Sequence, residues 1–124
     1  MYRPLLTVVG GLVVALGAFL IIAPKMYLTL YLPNYTADFA FAAQRLAPAI
    51  MGLGAIMLAA RTLPPGSFPV ALTLIAACVW AGVAATGLYH YATGVASVGI
   101  LIAAVTEVIL ALLFWRASRQ MRNA

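Results

Sequence analysis

Four stretches of this chain run for roughly twenty residues with almost nothing polar in them. That is the length a helix needs to cross about 30 Å of hydrocarbon at about 1.5 Å per residue. They extend from about Leu5 to Ala23, Phe39 to Ala60, Phe68 to Tyr91 and Val95 to Trp115. No water is available inside a bilayer to satisfy backbone N–H and C=O groups, so spans of this kind must be helical. Composition points the same way: 66% of the 124 residues are hydrophobic and 7% are charged. A soluble domain carries about a quarter charged residues, and a chain this apolar could not cover itself with polar surface. The expected fold is therefore all-α: an integral membrane four-helix bundle, with residues 1–124 forming one domain. Short connections at Thr62–Ser67 and Ala92–Gly94 make neighbouring helices antiparallel. The first run is too long for a signal peptide and ends in no small-x-small cleavage site, so it reads as a retained helix.

The formal charge of +5 does not form a nucleic-acid patch, because the basic residues stand at the ends of the apolar runs. Arg116, Arg119 and Arg122 crowd the last nine residues as anchors for anionic lipid headgroups, each attracted by about 1 kcal/mol. One side of the membrane would collect Arg3, Arg61, Arg116, Arg119 and Arg122. The other would have Lys25, with Arg45 just inside the second span. The asymmetry places both termini in the cytoplasm. The alanine-rich, lysine-poor composition suggests a bacterial source, hence the inner membrane. In the first connection, Tyr27, Tyr31 and Tyr35 recur every four residues, which on a short interfacial turn would set their rings at headgroup depth.

Helices in lipid associate through small residues and buried polar contacts. Each span offers candidates: Gly10 and Gly17 in the first, Gly52 in the second, Gly82 in the third. The fourth has Gly99, Ala103, Glu107 and Ala111, four apart and so on one face. Glu107 lies about 16–18 Å from the outer end of its span and Arg45 about 9 Å deep in its own, a gap that an arginine side chain could bridge. A carboxylate at that depth must be paired, protonated or hydrated. The expectation is a buried Arg45–Glu107 pair acting as a register clamp, or as part of a ligand site. Pro48 frees the carbonyl of Gln44, which would add Gln44 to the same polar centre. His90, flanked by Tyr89 and Tyr91, is either an interface residue or a ligand-site donor. The single cysteine, Cys78, rules out an intrachain disulfide, and no metal site is expected.

The run from Val9 to Phe114 resembles the DoxX-like group and its neighbour, the DUF4345-type small membrane proteins. The resemblance is carried by Ala23-Pro24 after a glycine-rich first span, Arg45 followed by Gly52-x-Gly54, then Gly82 and Gly87, then Glu107 and Ala111. It implies a four-helix bundle with an accessory role beside membrane oxidoreductases, some of them quinone-linked.

Three functions follow as expectations. The first is an accessory or assembly subunit of a larger membrane complex, without catalytic activity, whose partners are membrane lipids and other membrane subunits or its own copies. The second is an oligomeric proton-coupled carrier or channel for a small solute that uses Glu107. The third is a quinone-binding redox subunit built on Arg45, Glu107 and His90. No cofactor is required by the first reading, and a quinone or a lipid is what such a bundle could bind.

Overall fold

In the computed structural model, residues 2–124 are described, Phe41 by its backbone alone. They form α1 (Tyr2–Ile22), α2 (Pro24–Leu28), α3 (Ala37–Ala60), α4 (Ser67–Ala92) and α5 (Gly99–Arg122), with no strand among the described residues. The four longer helices are each long and apolar enough to cross a membrane, the helix set of a multi-pass membrane protein.

Local chemistry sets the boundaries. α1 stops at Ala23, whose φ of −139° and ψ of 60° leave the helix, and Pro24 opens α2 at a position where its missing N–H costs nothing. Asp38 lies in the first turn of α3, where the helix dipole favours a carboxylate. α4 ends in a Schellman motif. Gly94 takes φ +82°, the Val95 amide donates to His90 O at 2.9 Å, and the Gly94 amide donates to Tyr91 O at 3.1 Å. The expected fourth span is displaced as a result. It begins at Gly99 rather than Val95, because Val95 and Ala96 both turn back onto the His90 carbonyl. It also runs on to Arg122, since Ala117, Ser118 and Met121 keep an inward face beyond Trp115.

The long helices pack chiefly as two pairs, α1 with α3 and α4 with α5. Gly10 and Gly54 let the first pair approach backbone to backbone: a Cβ on Gly10 would lie 3.0 Å from Gly54 O, and one on Gly54 2.7 Å from Gly10 O. Further along, a Cβ on Gly17 would collide with Met51 and come within 3.0 Å of Ala47 O. Gly52 and Gly82 were expected to pack helices within the chain, yet a Cβ at either would meet nothing within 4 Å. On α3 the close contact belongs to Gly54, two residues on and so about 200° round the helix from Gly52.

The two pairs join through one apolar cluster. It contains Leu6 and Val9 of α1, Met57 of α3, Ala76 of α4 and Phe114 of α5. Phe114 and Leu6 have no exposed surface. At the same end of the molecule, Tyr2 donates a hydrogen bond from its hydroxyl to Leu63 O, and Ser118 Oγ donates to Val70 O at 3.3 Å, tying α5 to α4.

Candidate functional site

The segment between α2 and α3 folds back over the opposite end of the bundle and is pinned there by one residue. The Ser97 amide donates to Tyr31 O at 2.8 Å, and its hydroxyl donates to Leu30 O at 3.0 Å. Gly99 makes the approach possible, because a Cβ there would lie 2.8 Å from Leu30 O. Tyr31 of this segment and Tyr27 of α2 both border the space beneath it. Their rings meet edge to face at 5.3 Å, and Phe19 meets Tyr27 in the same way at 6.3 Å. These two tyrosines therefore roof the site.

Beneath this roof lie two clefts that share Tyr31, Ala103 and Glu107. One, of about 390 Å³, is bordered by Tyr27, Phe39, Thr86 and His90 as well. The other, of about 530 Å³, opens between the two helix pairs and is bordered by Leu12, Leu16, Trp80 and Thr106. The small-residue face of α5 thus lines space: Gly99, Ala103, Glu107 and Ala111 are all only partly buried. The fully buried positions of that helix are Ala104, Phe114, Ala117 and Ser118.

The polar residues are distributed otherwise than their depths suggest. Glu107 borders both clefts, and its Oε2 is buried without a hydrogen-bond partner. Arg45 borders neither cleft and lies exposed on α3, so the clamp with Glu107 is not formed. Helix pairing explains the difference. α3 packs on α1, and in that register Gln44 Nε2 donates to Ile21 O at 3.0 Å, satisfying a carbonyl in the last turn of α1. Arg45 follows about 100° further round the helix and points away from α1. Gln44 therefore serves the end of α1, not a centre around Glu107.

His90 does border the smaller cleft with Glu107. It is exposed, in the last turn of α4, with its ring 5.3 Å from that of Tyr89. Among the described residues no three His, Cys, Asp or Glu side chains gather as a metal site would require. Arg116, Arg119 and Arg122 are exposed, and the Arg119 guanidinium stacks 5.2 Å from the Trp115 ring.

Trp80 was missed as a site residue. Its indole Nε1, like Glu107 Oε2, is buried without a hydrogen-bond partner, and it borders the larger cleft. No sequence pattern links an indole on one span to a carboxylate on another. The tyrosine spacing was visible, but it does not say which way the rings turn.

Tyr27 lies outside the spans, and burial foremost, with Tyr31 beside it, holds its phenol well above the ordinary value of about 10. Folding therefore favours the protonated phenol. The stability this provides is complete below the ordinary phenol pKa and is lost as pH rises beyond it. Tyrosinate absorbance should show one phenol ionising later than the rest, and Tyr27→Phe should remove that late step.

No family model, curated protein or solved structure matches the chain at a significant level.

Proposed function

We propose that the chain is a small membrane accessory or assembly subunit, without catalysis of its own, that docks on a larger membrane protein in the bacterial inner membrane. The DoxX-like resemblance implies the same kind of role. Its spans run antiparallel to their neighbours with both termini cytoplasmic. The basic residues Arg3, Arg61, Arg116, Arg119 and Arg122, set against Lys25, support that orientation. The facing contacts Gly10–Gly54 and Gly17–Ala47, whose numbers run in opposite senses, support the antiparallel arrangement of α1 and α3.

The observation that carries the proposal is the pair of uncovered small-residue faces. α3 exposes Gly52, Ala55 and Ala59, and α4 exposes Cys78, Gly82 and Ala85. Lipid chains gain little from such a face, whereas another helix gains close backbone approach.

Photocrosslinking in the native membrane tests this reading. A photoreactive residue at position 52 or 82 should give one discrete adduct with a different, larger polypeptide. The same group at Ile22 or Val8, both exposed and apolar, should label mainly lipid. An identical labelling pattern at all four positions would count against a docking face.

A further inference from the structure

The larger cleft combines three features that together specify a ligand chemistry, independently of the accessory reading. First, Trp80 and Glu107 both border this cleft, and each carries one buried polar atom, Nε1 and Oε2, without a hydrogen-bond partner. An indole N–H can only donate, and Glu107, in the carboxylate form that a donated hydrogen bond favours, can only accept. Each is costly to leave unmatched away from water. Second, Thr106 adds no donor, because its hydroxyl already donates to Ile102 O at 3.0 Å. Third, the mouth of the cleft is apolar: Leu12 is 61% exposed, Leu30 60% and Ile102 77%. These residues flank the seam where α1 meets α5 only lightly. Approach is therefore from the hydrocarbon of the bilayer, not from water.

We infer that this cleft binds a membrane-dissolved amphiphile that has a hydroxyl head on an apolar body, the hydroxyl donating to Glu107 and accepting from Trp80. A hydroxyl is the smallest group that does both. An ether or ketone offers no hydrogen to the carboxylate, and an ammonium head offers no lone pair to the indole. A cleft of about 530 Å³ is large enough for a body of drug-like size.

The test uses the full chain in phosphatidylcholine nanodiscs with Trp115→Phe, which leaves Trp80 as the sole indole. Three probes share one apolar body: farnesol, its methyl ether and farnesylamine. Farnesol should change Trp80 emission saturably and move the Trp80 indole N–H proton resonance downfield. The methyl ether should bind at least about tenfold more weakly, the loss expected for one hydrogen bond to a charged group. Glu107→Leu should weaken farnesol binding by a similar factor. Because the comparison of alcohol with ether is made in protein that keeps Glu107 and Trp80, it stands even if the Glu107 variant folds poorly. Equal affinity for alcohol and ether would overturn the proposal. Tighter binding of the amine without an indole shift would overturn it in favour of a cation site. Emission changes that rise linearly with probe, without saturation, would mean partition into the bilayer and no site.

Discussion

Gly54→Val is expected to break the α1–α3 pair, whereas Gly52→Val, two residues away, is expected to leave it intact. A Cβ at position 54 would lie 2.7 Å from Gly10 O and 2.8 Å from both Val14 N and Val14 Cγ2. Two of those three atoms are backbone, so the clash cannot be relieved by a side-chain rotation and the helices must move apart. Separation forfeits the close packing that holds helices together in lipid, where no hydrophobic force between them compensates. Overpacking of this kind costs about 3 kcal/mol. A Cβ at position 52 meets nothing within 4 Å. Unfolding in mixed detergent and SDS should therefore shift sharply to lower SDS for Gly54→Val and hardly at all for Gly52→Val. Equal shifts for the two variants would contradict the pairing.

Phe114→Ala should be the second large loss. Phe114 has no exposed surface and belongs to the cluster that draws on α1, α3, α4 and α5 together. Truncation leaves a hole where the two helix pairs join. The cost is set at about 2 kcal/mol, below the usual value for a soluble core, because lipid also solvates an unpacked ring. Leu112, two residues earlier on α5, is 57% exposed. Leu112→Ala should cost only a few tenths of a kcal/mol in the same SDS titration. Similar losses at the two positions would mean that the cluster does not join the pairs.

The spans were legible because twenty apolar residues in lipid leave the backbone no alternative to a helix. The start of α5 was not, because Val95 and Ala96 are as apolar as the residues that follow. Only the glycine at position 94, with its positive φ, turns them into a cap. Helix faces were harder still. Gly52 and Gly54 are equally plausible packing residues in sequence, and the choice between them depends on how α3 is rotated against α1. The same rotation separates Arg45 from Glu107. Depth along two spans can be counted from sequence, but the direction in which each side chain points about its axis cannot. Glu107 itself was found by the rule that an intramembrane carboxylate needs a reason. Trp80 escaped because an indole in an apolar span raises no question until its N–H is seen without a partner.

The most direct measurement is native mass spectrometry of the protein extracted mildly from its own membrane. The expected result is a stoichiometric complex with a larger membrane polypeptide, weakened by Gly52→Leu or Gly82→Leu while the chain itself stays folded. A monomer or homo-oligomer carrying no other polypeptide, unaffected by either substitution, would contradict it.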